Sequence, residues 1–152
     1  MGKGGLGDWE IAATLIIFTQ IKFPNLPIPK LNAMTEKELK IRTRKFAIDI
    51  LNFTDALPNR KSANIISNQL GRCATSVAAN YRAACRARSH NEFIAKIGLV
   101  EEEADESTFW LDILPDTKNS ERIVVEPLLN EARELTAIFT AANKTAKSNK
   151  GR

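Results

Sequence analysis

Apolar residues recur at steps of three and four along most of the chain after residue 34, and this period predicts helices. The first such stripe consists of Leu39, Phe46, Ile50 and Phe53. Thr35 and Glu38 stand before it at the spacing of a capping box, in which each residue hydrogen-bonds the other's backbone amide. Pro58 ends the segment, because proline cannot continue a helix. We therefore expect a first helix that begins at Thr35.

A second helix is predicted over residues 59–88, which contain no proline and one glycine, Gly71. Its apolar stripe consists of Ile66, Leu70, Cys73, Val77 and Ala84. Ser89 and Glu92 repeat the capping-box spacing, so a third helix should begin within one or two residues of the end of the second. A connection that short makes the two helices antiparallel neighbours.

The third and fourth helices have stripes of the same kind. The residues are Phe93, Ile97, Val100, Ala104 and Leu111 in the third, and Leu128, Ala132, Leu135, Phe139 and Ala142 in the fourth. Pro115 closes the third helix. Pro127 leaves two alternatives for the fourth: residues 120–125 form a separate short turn, or the helix begins near Glu126 with Pro127 in its first turn, where a missing amide is harmless.

These elements predict an all-α fold, an antiparallel up-down-up-down four-helix bundle over residues 35–143. Residues 1–34, with Pro24, Pro27 and Pro29, read as an N-terminal extension that is mobile or docked on the surface. The apolar run at 11–18 is too short to cross a bilayer, so we expect no membrane partner. Residues 144–152 are polar and basic without apolar periodicity, which predicts a disordered tail.

Charge is divided unequally along the chain, although the net charge is only +4. Residues 35–88 contain eleven Lys or Arg against four Asp or Glu, and residues 89–142 contain four against twelve. Such asymmetry indicates that the two halves pair with each other, or that the protein has two surfaces with different partners.

The second helix concentrates arginine on one face. At 100° per residue, Arg72, Arg82 and Arg86 fall within about 80° of one another, opposite the apolar stripe and beside Ala79 and Ala83. The small alanines would let a phosphate backbone, a helix or another subunit approach closely. Alternatively, the arginines pair with carboxylates of the same fold.

The third helix places acidic and large apolar residues together on its outward side. Phe109 and Ile113 lie near the acidic positions, where a free monomer gains nothing from exposing them. We expect contact with another protomer there, unless the N-terminal extension covers the patch. The predicted oligomer interface is Glu102, Asp105, Glu106, Phe109, Trp110 and Ile113.

The sequence contains few of the residue patterns that a catalytic or metal site requires. The only histidine, His90, has no glutamate three residues before it, which argues against a carboxylate-bridged di-metal centre and a histidine-based triad. No phosphate-binding glycine loop follows a strand. Cys73 and Cys85 are twelve residues apart in one predicted helix, roughly 18 Å, too far for a disulfide. We therefore expect no enzyme activity, metal or cofactor, and reduced cysteines in a cytoplasmic protein.

Two segments resemble a known family: SVAANYRAACRARS at 76–89 and NEFIAKIGLVEEEADESTFWLDIL at 91–114. They look like the small four-helix-bundle proteins associated with intervening sequences in bacterial 23S rRNA genes, to which the accessory variability determinant of diversity-generating retroelements is similar. The resemblance covers about residues 39–147, including ARELTAIFTAANKTAKSN near the end.

The resemblance implies an up-down-up-down bundle in a ring-like homopentamer and no catalytic residues. For the retroelement relatives it also implies a basic surface that engages nucleic acid and a reverse transcriptase. The positions that match the motif of the second helix are Ser76, Asn80, Tyr81, Arg82, Arg86 and Arg88. Those that match the motif of the third are Glu102, Asp105, Glu106 and Trp110.

The leading hypothesis is a non-catalytic, homo-oligomeric bundle that binds RNA or DNA phosphates without base specificity, as an accessory to a reverse transcriptase or an rRNA insertion. The predicted nucleic-acid-binding residues are Lys40, Arg42, Arg44, Lys45, Arg60, Lys61, Arg72, Arg82 and Arg86. The alternative is a protein-interaction scaffold without a nucleic-acid role. In it, Arg72, Arg82 and Arg86 would meet Glu102, Asp105 and Glu106 across subunits.

Overall fold

A computed structural model describes residues 34–149, which form four α-helices and no strand. The helices are α1 (Glu36–Asp55), α2 (Lys61–Ala84), α3 (His90–Ile113) and α4 (Arg122–Ser148). Short connections make successive helices antiparallel, consistent with the predicted four-helix bundle. The expectations for the N-terminal extension up to residue 33 lie outside the described residues, as do residues 150–152. Within the described part, no helix is long and apolar enough to cross a membrane.

Polar caps fix the starts of α1 and α3. The Glu38 amide donates to Thr35 Oγ1 at 3.2 Å, and the Thr35 amide donates to a Glu38 carboxylate oxygen at 2.6 Å, so the predicted capping box is complete. At α3, the Glu92 amide donates to Ser89 Oγ at 3.1 Å. The Glu92 carboxylate accepts from the Arg88 amide instead of the Ser89 amide. Each cap satisfies amides that the first turn of a helix leaves without partners.

The hydrophobic core lies along the centre of the bundle, where the apolar stripes of the four helices pack together. Nearly every predicted stripe residue is buried, and only Phe53 and Leu128 are partly exposed at its edge. Tyr81 of α2 and Phe139 of α4 meet across the centre with ring centroids 5.3 Å apart. Burial raises the pKa of the Tyr81 hydroxyl well above its ordinary value.

The four sides of the bundle are not equally closed. α3 packs extensively against both α2 and α4, whereas α1 packs against α2 and touches α4 over a much shorter stretch. The polypeptide therefore leaves one seam, between α1 and α4, that apolar packing closes only in part.

Three boundaries differ from the sequence predictions. α2 ends at Ala84, before the predicted residue 88, and the connection folds back to bury Ala87. α4 runs unbroken from Arg122 with Pro127 inside it, so both alternatives for Pro127 were wrong. Proline is tolerated here because, at the sixth helical residue, it removes only one backbone bond, to a carbonyl of the first turn.

The tail prediction was wrong for residues 144–148, which continue α4. Ala146 is buried there, and its carbonyl oxygen lies 2.8 Å from His90 Nε2, within hydrogen-bonding distance. Ala146 follows Ala142 by four residues, so the apolar stripe continues one turn further than predicted and packs beside the start of α3.

Candidate nucleic-acid interface

The seam between α1 and α4 is bridged by Arg42. Its Nε and Nη2 donate to the two carboxylate oxygens of Glu131 at 2.7 and 2.8 Å, and Nη2 also donates to Glu134. The Arg42 side chain is only 19% exposed. The hydrogen bond to Glu131 is the main reason that the guanidinium pKa is raised further. Arg42 is therefore a clamp between helices rather than a group free to bind phosphate.

Arg72 makes an equivalent clamp between α2 and α3. Its Nη1 donates to both carboxylate oxygens of Glu103 at 3.0 Å, and its Nη2 donates to Glu106 at 2.6 Å. Glu106 also accepts from Trp110 Nε1 at 3.1 Å. These donors, Arg72 first, hold the pKa of the Glu106 carboxyl below its ordinary value. The predicted pairing of arginine with carboxylate is thus made within one chain, through Glu103 as well as Glu106.

The Arg72 clamp contains the one described trio of acidic or thiol side chains whose ligand atoms all lie within 4.8 Å of each other: Cys73, Glu103 and Glu106. The trio does not suit a metal ion, because the Arg72 guanidinium already occupies both carboxylates. Burial, reinforced by the neighbouring Glu106 charge, raises the pKa of the Cys73 thiol and keeps it from becoming a thiolate ligand. Burial also raises the pKa of the Cys85 thiol, to about 11.

Three more of the predicted binding residues have partners in the chain. Lys40 pairs with Glu36 and Lys45 pairs with Asp49, each one helical turn away. Arg60 Nη1 donates to the Lys118 carbonyl oxygen at 3.1 Å, which ties the start of α2 to the loop before α4. Ion pairs on an exposed helix face are weak, so Lys40 and Lys45 can exchange their carboxylates for phosphate.

The remaining predicted residues, Arg44, Lys61, Arg82 and Arg86, are exposed and have no carboxylate within 4 Å among residues 34–149. Arg82 lies in the last turn of α2, and Arg86 lies in the connection to α3. The structure therefore separates arginines that the helical periodicity had grouped: Arg72 is in a clamp, whereas Arg82 and Arg86 are open to solvent.

Unpaired cations gather at the end of the bundle where α1 and α3 begin and α2 and α4 end. We call this surface the basic end; it consists of Lys37, Arg82, Arg86, Arg88 and Lys144, all exposed. The carboxylates nearby are engaged, because Glu36 pairs with Lys40, Glu38 caps α1 and Glu92 binds the Arg88 amide. Arg44 lies two turns further along α1. The sequence analysis had not selected Lys37 and Arg88 for this role, although the antiparallel order of the helices places them together with Lys144.

The residues of the predicted oligomer interface also fall into two groups, those with partners in the same chain and those exposed to solvent. Glu106 and Trp110 are occupied in the Arg72 clamp, whereas Glu102 and Asp105 are exposed towards α4. Phe109 is 54% exposed and meets the Trp110 ring edge-on, with centroids 5.0 Å apart. Ile113 is half-buried. Among the described residues, Phe109 is one of several large apolar side chains open to solvent, with Ile41, Ile65 and Leu99.

Comparison with known proteins relates the fold to one family. Residues 36–141 match the family described as 23S rRNA-intervening sequence protein. A crystal structure of a protein of unknown function from the S23 ribosomal protein family of Bacteroides thetaiotaomicron is similar, with a TM-score of 0.66 and 30% sequence identity. That similarity covers 72% of this chain and 97% of the other. None of the curated proteins matches the chain.

Proposed function

Because the chain belongs to the family of 23S rRNA-intervening sequence proteins, we propose that it is a non-catalytic protein that binds the backbone of RNA or DNA at the basic end. The family is named for an element of ribosomal RNA, which directs attention to nucleic acid. The observation that supports this role is the group of exposed arginines and lysines there that form no ion pair within 4 Å with any carboxylate of residues 34–149.

The chemistry of the basic end fits phosphates better than bases. Arg82, Arg86 and Arg88 offer planar guanidinium groups that can bind a phosphate through two parallel hydrogen bonds. Within residues 34–149, the basic end has no exposed aromatic side chain on which bases could stack. Binding is therefore tolerant of sequence and weakens with salt, as phosphate neutralisation releases counterions.

A catalytic role has no support in the described residues. His90, the only histidine of the chain, is the first residue of α3, and its Nε2 lies within hydrogen-bonding distance of the Ala146 carbonyl oxygen of α4. The Cys73 thiol is buried beside a carboxylate and is held protonated. The two reduced cysteines fit a cytoplasmic location.

The test is the salt dependence of binding to a fluorescent single-stranded RNA of random sequence, measured by anisotropy. The Arg82→Gln/Arg86→Gln variant should bind more weakly, and the slope of log affinity against log salt should become less steep by about 1.4, or about 0.7 for each phosphate that is no longer neutralised. Both side chains are exposed, so the variant should keep its helical circular dichroism.

The matched control is Lys118→Gln/Arg122→Gln, which removes the same charge at the opposite end of the bundle. It should retain the wild-type slope. If the two variants weaken binding equally, the effect is one of net charge and the assignment to the basic end is wrong.

We also propose that the protein is a homo-oligomer, with the homopentamer of the family resemblance as the expected state. Phe109 supports this, because a phenyl ring that is 54% exposed beside Ile113 is more stable when a second protomer covers it. In sedimentation velocity, Phe109→Ser should lower the mass of the assembly. A wild-type protein that is monomeric at tens of micromolar would contradict the proposal.

The protein-interaction scaffold remains a second candidate, favoured by Ile41, which is 59% exposed on α1 close to the unpaired Arg44. An exposed aliphatic side chain gives a protein partner something to bury and gives a phosphate backbone nothing. If Ile41→Ser/Ile48→Ser leaves RNA binding unchanged but dissociates the oligomer, α1 serves assembly while the basic end serves nucleic acid.

A further inference from the structure

The outward face of α1 carries apolar side chains that the rest of the described chain leaves exposed. Ile41, Ile48 and Leu51 are 59%, 38% and 44% exposed. Their spacing of seven and three residues places them within about 80° of one another around the helix, and we call them the α1 stripe. Two cations lie beside it: Arg44, which has no carboxylate within 4 Å among residues 34–149, and Lys45, whose side chain is 73% exposed. The face therefore offers a partner both apolar area and positive charge.

The sequence that precedes the described residues contains a segment of matching chemistry. Eight of the ten residues from Trp9 to Phe18 are apolar, and such a run is stabilised when another surface takes it out of water. Asp8 and Glu10, at its start, are the only acidic residues before residue 34. The segment lies outside the family match of residues 36–141, so it is an addition to the bundle and not one of its four helices. Its apolar residues therefore need a place on the surface.

Met34 fixes the point from which this segment can reach the surface. The Met34 side chain packs against the core at the start of α1, next to the cap residue Thr35. At 1.5 Å per residue, the α1 stripe lies about 10–25 Å from that point along the helix. Residues 19–33 can span roughly 50 Å when extended, so the segment can reach every part of the stripe.

Charge distinguishes the α1 stripe from the exposed apolar patch on α3. Asp105, Glu106 and Asp112 lie three or four residues from Phe109, which makes them its neighbours on the surface of α3. These carboxylates would repel the acidic start of the segment, whereas the cations beside the α1 stripe would attract it. Two α1 faces from separate copies would bring like cations together. The segment therefore fits the α1 stripe better than either alternative.

We propose that residues 8–18 dock on the α1 stripe of the same chain, with the apolar run over the aliphatic side chains and the two carboxylates towards Arg44 and Lys45. The contact does not rest on nucleic-acid binding. It gives Ile41 a partner within the chain, in place of the partner protein that this side chain suggested above.

The test uses fluorescence of the full chain, because Trp9 and Trp110 are its only tryptophans. In Trp110→Phe, the remaining indole reports on the segment. Acrylamide should quench it severalfold less than it quenches N-acetyltryptophanamide, because docking takes the indole out of solvent. Phe18→Trp in the Trp9→Phe/Trp110→Phe protein moves the reporter to the other end of the segment and should give the same protection.

The α1 stripe is tested by adding Ile41→Ser/Ile48→Ser to both reporter proteins. The quenching constant should rise about twofold or more, because the variant removes the apolar area that the segment covers. The matched control is Ile65→Ser/Leu99→Ser, which removes side chains of similar exposure, 50% and 42%, from α2 and α3 and should leave the constant unchanged. Helical circular dichroism should be the same in all these proteins.

The charges are tested by reversing them. Arg44→Glu/Lys45→Glu should raise the quenching constant, and adding Asp8→Lys/Glu10→Lys to the same protein should bring it back towards the original value. If the second pair of substitutions raises the constant further, the carboxylates do not face these cations and the proposal is wrong.

Other results would also overturn the proposal. Reporters that are both quenched like N-acetyltryptophanamide would show that the segment is not docked. Equal effects of the α1 and control variants would show that it is not on α1. Protection that is lost on dilution, together with a fall in mass by sedimentation velocity, would place the segment on a second copy. If the α1 variant lowers the mass but leaves both reporters protected, the stripe is a contact between copies instead.

Discussion

The arginines that bridge two helices differ from those of the basic end in whether the neighbouring helix places a carboxylate beside them. Arg72 and Arg82 project from similar sides of α2, yet only Arg72 meets carboxylates. Arg82 is ten residues closer to the end of α2 than Arg72. Because α2 and α3 are antiparallel, the part of α3 beside Arg82 is about ten residues closer to the start of α3 than the part beside Arg72. The acidic run of α3 begins at Glu101, so near Arg82 the facing helix has Lys96 instead. Position along the facing helix therefore decides whether an arginine stabilises the fold or remains free.

The largest effect should come from breaking the clamp between α1 and α4. Arg42→Ala should lower the free energy of unfolding by about 2 kcal/mol, since it removes charge-assisted hydrogen bonds from a largely buried side chain and leaves Glu131 and Glu134 close together. Urea denaturation followed by circular dichroism measures the change.

Arg44→Ala, on the exposed side of the same helix, is the control and should change stability by no more than about 0.5 kcal/mol. Equal effects of the two substitutions would show that the α1–α4 seam does not depend on Arg42. The variant Arg42→Met/Glu131→Gln/Glu134→Gln should recover part of the loss, because it removes the unpaired carboxylates together with their partner.

The second prediction is that substitutions of Arg72 and Arg82 have opposite effects, one on stability and the other on RNA binding. Arg72→Gln should lower the urea midpoint, by less than Arg42→Ala does because Arg72 is half exposed, and should leave the salt slope of RNA binding unchanged. Arg82→Gln should leave the midpoint unchanged and reduce the magnitude of the slope by about 0.7. Should Arg72→Gln reduce the slope by the same amount, the clamp opens to bind phosphate and the two arginines are equivalent.

The helices and their buried stripes could be predicted from the sequence because periodicity and capping are local. Thr35 with Glu38 marks the start of α1, and residues such as Val77 and Ile97 face the core as their spacing requires. The end of α2 could not be predicted, since it depends on Ala87 being buried by tertiary packing. The extension of α4 could have been predicted, because Ala146 follows Ala142 at a step of four, but alanine is a weak apolar signal in a basic, polar segment.

The candidate site was predicted less completely. Helical angles correctly placed Arg72 and Arg82 away from the core, and Arg86 is exposed although it lies beyond the end of α2. An angle on one helix says nothing, however, about the level at which another helix presents its carboxylates. The partner of Arg42 is 89 residues away in sequence, and no local pattern signals it. The same limit explains why the basic end, which combines residues from three helices and a connection, was not recognised as one surface.

A third prediction uses pH to test the Arg72 clamp. The folded-state pKa of Glu106 lies below its ordinary value of 4.5, chiefly because Arg72 donates to it. A carboxyl whose pKa is depressed by folding contributes stability above pH 4.5, and that contribution is lost as the pH falls through the lower, folded-state pKa. As the pH is lowered from 4.5, the urea midpoint of the wild type should therefore decrease, and it should decrease more steeply than the urea midpoint of Glu106→Gln. Glu102→Gln is the control and should retain the wild-type steepness.

The smallest effect should come from Trp110, the second donor to Glu106. Trp110→Phe removes the indole N–H but keeps an aromatic ring against Phe109, so the cost should be about 0.5 kcal/mol, that of one solvent-accessible hydrogen bond. The acid-induced loss of stability should still begin near pH 4.5, but it should be slightly smaller than in wild type and larger than in Arg72→Gln, because Arg72 still holds the Glu106 carboxylate. If Trp110→Phe reduced that loss as much as Arg72→Gln does, the indole and not the guanidinium would be the principal partner of Glu106. The ion pair between Arg72 and Glu103 would then be the main charged link between α2 and α3.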